Sequence, residues 1–394
     1  MPTPEQIRDA SGQHAVIADK IFDGSRWHAH AAVLIKGGRI HGIAAPGDIL
    51  DDWPQRRLPI GAILAPGFID LQVNGGGGML LNDSPTADTM HAIARVHREY
   101  GTTACLPTMI TDTREQMQRA IAGALKARAE DGVVGVHLEG PFISPARRGI
   151  HRQDLIATAS DKDLEWLLEL AAVKGSVVTL APECVPAGFI NRLARAGVRV
   201  SLGHTEASAE IISRAADDGA TGVTHLFNAM PPMTGRQPGP VGAALADQRL
   251  TAGLIVDGIH VDPIAIRAAF AAKGPDGVAL VSDAMPTVGA TAKEFSLMGR
   301  VIKLEGGRLA AEDGTLGGAH LDMASAVRNA VTVVRLPLDD ALRAASHTPA
   351  KFLGLSDECG VIQPGARADM VALTPDLHVV ATWMRGAVQM AGTH

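Results

Sequence analysis

Short apolar runs rich in Val, Ile, Leu and Ala recur through the middle of the chain. They lie at residues 67–73, 102–108, 133–138, 177–181, 198–202, 222–225, 251–256 and 278–282. Runs of this kind, bounded by Gly and Pro, suit strands buried on both faces. The stretches between them change to helical spacing. Residues 161–172 place Leu164, Leu167, Leu168 and Ala171 on one face behind Ser160 as a cap, and residues 207–218 do the same with Ile211, Ile212 and Ala215 behind Thr205. Eight strands alternating with helices predict an α/β fold, a closed (β/α)8 barrel of the TIM type, ahead of an open doubly wound sheet.

The two ends of the chain have a different rhythm. Residues 15–22, 32–36 and 39–43 are β-type runs, the last two joined by Gly37-Gly38 as a hairpin signal, and residues 368–373, 379–383 and 387–390 repeat that character. Chain ends often lie close together, so the expectation is one small β-sandwich built from both. The division expected is residues 1–64 for its first part, 65–358 for the barrel and 359–394 for its second part.

Composition narrows the field further. A length of 394 residues, with 46% hydrophobic and 20% charged residues, describes a globular chain with a large core. The formal charge of −6, without a basic run, speaks against nucleic acid as a partner. No apolar stretch reaches the roughly 18 residues of a membrane span, and residues 1–13 lack the apolar centre of a signal peptide, so a cytoplasmic protein is expected. Cys105, Cys184 and Cys359 are far apart and in no paired motif, as free thiols would be.

The chemistry gathers at the ends of the runs. Glu139, His204, His225 and Asp283 each follow a strand-like segment. In a parallel barrel the carboxyl ends of the strands converge on one face, so these residues can meet around one ion. A carboxylate with two imidazoles is a reasonable set for a catalytic metal that keeps an open position, and the Asp remains as a base. Each residue alone has a plainer reading, as a loop carboxylate, a packed histidine or a helix cap; it is their conjunction that points to a metal-dependent hydrolase. Gln72 and Asn74, on the same side of the first run beside Asp70, stand where paired histidines would anchor a second metal. Neutral amides are poor ligands by comparison, so one strongly bound ion is expected. Gly75–Gly78 lacks the following Lys of a phosphate loop and reads as a turn. Arg147 and Arg148 read as a solvated loop.

Several segments together, Val-His-Leu-Glu-Gly-Pro, Gly-His-Thr, Thr-His-Leu-Phe-Asn-Ala-Met-Pro, Gly-Arg-Gln-Pro-Gly, Val-Asp-Gly-Ile-His-Val-Asp, Val-Ser-Asp-Ala and Gly-Thr-Leu-Gly-Gly-Ala, closely resemble the N-acetylglucosamine-6-phosphate deacetylases of the amidohydrolase superfamily. The resemblance runs from about residue 21 to residue 373. It implies Glu139, His204 and His225 as metal ligands, Asp283 as catalytic acid and base, and His151, next to Ile150, as the contact to the acetamido carbonyl. It implies Asn228 and Ala229 at the sugar phosphate and Leu316, Gly317 and Gly318 along the sugar. It also implies a homodimer in which Arg236 and His260 reach the phosphate in the neighbouring subunit. Gly317 and His320 depart from the residues common in relatives, whereas Gln72 and Asn74 match the one-metal branch. The expected cofactor is one divalent ion per subunit, zinc first, with iron, cobalt or manganese compatible. The activity implied is metal-dependent deacetylation of N-acetyl-D-glucosamine 6-phosphate, a phosphosugar. The readings left open are a related substrate such as N-acetylgalactosamine 6-phosphate, a cyclic-amide hydrolase, and a catalytically silent scaffold.

Overall fold

The structure is a computed structural model that describes residues 12–127 and 131–391. Residues 1–11, most of the stretch read for a signal peptide, lie outside the described residues.

Eight parallel strands follow one another around a barrel in chain order: Phe68–Val73, Thr102–Ile110, His137–Glu139, Val177–Leu180, Arg199–Leu202, Gly222–Val223, Thr251–Ile255 and Val278–Val281. A parallel bridge between Val73 and Ala284 joins the last strand to the first, reinforced by the Asp283 amide donating to the Gln72 carbonyl at 3.0 Å. All but Thr251 and Arg199 among these strand residues are buried, which is why the runs read as continuous apolar segments rather than alternating ones. Helices on the outside start at side-chain caps. Thr86, Thr113 and Asp322 each accept from the backbone three residues on, contacts worth about 1 kcal/mol apiece.

The helix expected at 161–172 is α-helical over Asp161–Leu167 and 3-10 over Leu168–Ala172, and Ser160 with Asp163 forms its capping box. The helix expected at 207–218 spans Ala209–Asp217 and begins after Ser208, not Thr205. The Thr205 hydroxyl is already committed to Glu183 Oε2 at 2.6 Å.

Both chain ends build one eight-stranded sheet. Met370–Leu373 pairs antiparallel with Ile63–Pro66, which pairs in turn with Gln13–Phe22, so the passage from this sheet to the barrel falls at Gly67. The hairpin turn at Gly37-Gly38 has φ of 59° and 76°, the left-handed pair that a tight hairpin requires. A third sheet was not foreseen. Glu294–Leu297, Arg300–Glu305 and Arg308–Ala311 form an antiparallel meander after the last barrel strand, and Leu297, Ile302 and Leu309 pack under it against Leu80, Ile110, Ile150 and Met285. No helix among the described residues is long and apolar enough to cross a membrane.

Candidate active site

Four strand ends deliver side chains into one cavity of about 360 Å³, within the range of small-molecule sites. His204, His225 and Asp283 all leave their strands with positive φ, 49°, 30° and 51°. Such backbone is sparsely populated for residues with side chains and costs of order 1–3 kcal/mol each, which packing must offset. What it achieves is a sharp turn that points each side chain inward where the strand stops. Glu139 instead hands its turn to Gly140, φ 92°, where an added Cβ would lie 2.2 Å from Thr111 Oγ1.

The centre of the site is a triangle. Glu139 Oε1 lies 3.1 Å from His204 Nε2 and 2.9 Å from His225 Nε2, and the two nitrogens are 3.1 Å apart. His204 Nδ1 donates to the Arg147 carbonyl at 2.7 Å, so on the neutral ring Nε2 carries a lone pair. With His225 neutral and its proton on Nδ1, three electron-pair donors face one point, an arrangement that asks for a cation among them. Tetrahedral bonds of about 2.0–2.2 Å would hold such atoms about 3.3–3.6 Å apart, a little beyond the distances present, so the donor set fits a divalent ion after a small outward shift. Burial alone would raise the Glu139 pKa, but the two imidazoles hold it well below the usual carboxylate range. Burial opposes charge on His225, yet Glu139 outweighs it and the ring's pKa is raised.

His151 stands close by, its ring 4.5 Å from that of His204, and its ligand-type atoms also fall within 4.8 Å of those of Glu139 and His204. Its Nδ1, however, is turned to Thr111, 2.7 Å from Oγ1 and 3.4 Å from the backbone N–H, which can only donate. That puts the ring proton on Nε2. Burial, then the neighbouring His204, push its pKa down to about 3, so it stays neutral and offers one N–H. His137, two residues before Glu139, faces the barrel interior one layer lower. Both its nitrogens are engaged, by the Leu71 carbonyl at 3.0 Å and Thr179 Oγ1 at 2.7 Å.

Asp283 is buried, and Oδ1 accepts from Asn74 Nδ2 at 2.6 Å and Gln72 Nε2 at 3.1 Å. Burial and the charge of Glu139 push its pKa up to about 6. Gln72 Nε2 also donates to Glu139 Oε2 at 3.1 Å. Gln72 and Asn74 are thus hydrogen-bond donors to two carboxylates. Asp70 lies behind them, its Oδ1 accepting from the Gln72 and Ser282 amides at 3.2 Å.

The cavity also takes in Asn74, Ile150, Asn228, Ala229, Leu316 and Gly318. Gly317, between the cavity residues Leu316 and Gly318, is buried with Ile302 against it, 3.3 Å from where a Cβ would stand. His260 lines the cavity of its own chain, its Nδ1 2.6 Å from Asp257 Oδ2. Arg236 is exposed and outside its own chain's cavity. His320 pairs with Thr287 Oγ1 at 2.9 Å. Residues that sequence reasoning passed over are Thr111, which orients His151, and an apolar wall of Ile110, Ile255, Met285 and Leu297; Arg147, expected in a solvated loop, lines the cavity and holds His204 through its carbonyl. Thr111 had a signal: it is a polar residue directly after a buried strand, and the ligands too lie at or just beyond strand ends.

Comparison with known proteins agrees with this geometry. Residues 63–389 match the amidohydrolase family. An N-acetylgalactosamine-6-phosphate deacetylase of Shewanella sp. (strain ANA-3) is 41% identical over 94% of this chain and 95% of that protein. The N-acetylglucosamine-6-phosphate deacetylase of Haemophilus influenzae is 34% identical over 90% and 93%. Among solved structures, N-acetylglucosamine-6-phosphate deacetylase from Pasteurella multocida superimposes with a TM-score of 0.92 at 34% identity, covering 96% of this chain and 100% of the other. A variant of the Mycobacterium smegmatis enzyme in complex with N-acetyl-D-glucosamine-6-phosphate gives 0.88 at 32%, covering 95% and 99%.

Proposed function

The chain belongs to the amidohydrolase family, and from that membership together with the site we propose that it removes the acetyl group of N-acetyl-D-glucosamine 6-phosphate, giving D-glucosamine 6-phosphate and acetate. The observation that carries the reading is the convergence of Glu139, His204 and His225 on one point, beside a second buried carboxylate, in one cavity.

Glu139, His204 and His225 would hold a divalent ion, zinc in the first instance. His225 is taken as the third ligand in preference to His151, because His151 presents an N–H where a ligand needs a lone pair. An ion bound there supplies electrophilic polarisation of a carbonyl and lowers the pKa of water. The chain's own residues do the rest. His151 Nε2–H donates to the acetamido oxygen as charge builds on it, and such preorganised donors are worth about 10²–10³ in turnover. Asp283 takes the proton of the attacking water and passes it to the departing amine, with both amide bonds on Oδ1 leaving Oδ2 for that transfer. The apolar wall excludes water around the acetyl group.

The phosphate, remote from the reacting bond, supplies binding energy that holds the amide in register. Asn228 and Ala229 would hold it and Ile150, Leu316 and Gly318 would lie along the sugar; all five line the cavity, as does His260. The reading includes a cytoplasmic homodimer in which Arg236, exposed on a loop that also exposes Met233, anchors the phosphate in the neighbouring subunit. The test is acetate release from N-acetylglucosamine 6-phosphate and its galactosamine epimer, side by side. Higher kcat/KM for the glucosamine compound is expected. Preference for the epimer would reassign the sugar, and no release from either would remove the deacetylase reading.

A further inference from the structure

Two carboxylates buried near each other need something to hold them still. Here that something is a pair of neutral amides on the first barrel strand and its end. Gln72 and Asn74 are each 1% exposed and two residues apart, so both point to the barrel mouth. One NH₂ group, Gln72 Nε2, spans the gap at 3.1 Å to Glu139 Oε2 and 3.1 Å to Asp283 Oδ1. Asn74 Nδ2 adds a second, shorter bond to the same Asp283 oxygen, at 2.6 Å.

These contacts sort the oxygens. Glu139 turns Oε2 to Gln72 and Oε1 to the two imidazoles. Asp283, on backbone of φ 51°, turns Oδ1 to the amides. The main chain locks the same seam, with the Asp283 amide on the Gln72 carbonyl at 3.0 Å and the Asn74 amide on the Ala284 carbonyl at 2.9 Å. Burial also matters, because a donor without a partner at this depth is costly, so the amides cannot swing away.

We propose that Gln72 and Asn74 are positioning residues, Gln72 orienting both the ligand carboxylate Glu139 and the base Asp283, and Asn74 orienting the base alone. This rests on the deacetylase reading for its effect on turnover but not for its effect on metal binding. The division of labour makes the two variants separable. Gln72→Met keeps the bulk and removes the donor to both carboxylates, whereas Asn74→Leu removes only a donor to Asp283.

The experiment measures Zn²⁺ affinity of the metal-stripped proteins by chelator competition, and kcat and KM of the reconstituted ones with N-acetylglucosamine 6-phosphate. Loss of a residue that orients a ligand typically costs about 10–100-fold in metal affinity, the result expected for Gln72→Met, while Asn74→Leu stays within about threefold of the parent. Both should lose turnover, by up to about 10²-fold for a misplaced base, with KM unchanged. Gln72→Leu, which likewise lacks a donor and adds no charge, should behave as Gln72→Met does and covers the case in which the latter fails to fold. Parental Zn²⁺ affinity in folded Gln72→Met or Gln72→Leu would overturn the proposal, as would equal losses of affinity in the Gln72 and Asn74 variants. If the parent does not turn over the phosphosugar, the deacetylase reading falls while the affinity pattern still decides the clamp.

Discussion

Replacing Asp283 by Asn should abolish turnover and at the same time stabilise the metal-free protein. The carboxyl is fully buried, and burial together with the charge of Glu139 lifts its pKa from the ordinary 3.8 to about 6. A pKa raised on folding means that the folded chain holds the proton more tightly than the unfolded one. Stability is then undiminished below the unfolded value and is lost as pH rises between the two, the loss being complete above about pH 6. A rise of about 2 units corresponds to about 3 kcal/mol. Asn keeps the oxygen that accepts from Gln72 and Asn74 and carries no charge. The variant should therefore unfold at higher denaturant than the parent at about pH 8, by up to about 3 kcal/mol, with the gap closing toward about pH 4. Both proteins must be stripped of metal first, because an ion bound to the native state would add its own stabilisation. An Asn variant less stable than the parent at the higher pH would refute the claim that Asp283 is held at a cost for the sake of its chemistry.

Other outcomes follow from the same geometry. His151→Ala should cost about 10²–10³ in kcat and leave metal content unchanged; loss of the metal would instead make His151 a ligand. Gly140→Ala puts a methyl 2.2 Å from Thr111 Oγ1 on backbone of φ 92°. It should lower the thermal midpoint, through strain of about 1–3 kcal/mol, and depress turnover by dislodging Thr111 from His151; a variant equal to the parent in both would count against the contact. Because the base must be ionised and a cation beside it can only lower its pKa, kcat/KM should fall off on acidification with an apparent pKa at or below about 6. A rate that climbs as pH drops through that value would show Asp283 working from its protonated form.

The barrel was legible because its strands are buried on both faces and so appear as unbroken apolar runs, four of which have Glu139, His204, His225 or Asp283 at or just beyond their ends. That pattern also carried the site, since a polar residue at the end of a buried strand has few other uses. The antiparallel meander at residues 294–311 was not legible in the same way. Its outer face is solvent-exposed and its strands are short, so Phe295, Leu297, Ile302 and Leu309 look like scattered apolar residues, although Met298-Gly299 and Gly306-Gly307 mark its turns. The pairing of Thr111 with His151 crosses 40 positions of sequence and leaves no local trace. Gln72 and Asn74 are legible in sequence only as amides too weak to bind a second metal, because the type of side chain is visible but its partners, Glu139 and Asp283, are not. The packing of Gly317 against Ile302 depends on that meander and leaves no trace in the sequence around it.

The central claim is that an ion held by Glu139, His204 and His225, with Asp283 as base, hydrolyses the acetamide of a sugar held by its phosphate. The most direct test is acetate release by metal-stripped protein before and after addition of Zn²⁺, with N-acetylglucosamine 6-phosphate and with N-acetylglucosamine. Turnover should be absent without metal, return with it, and be far weaker on the sugar that lacks the phosphate. Turnover that survives metal removal, or equal rates on the two sugars, would contradict the account.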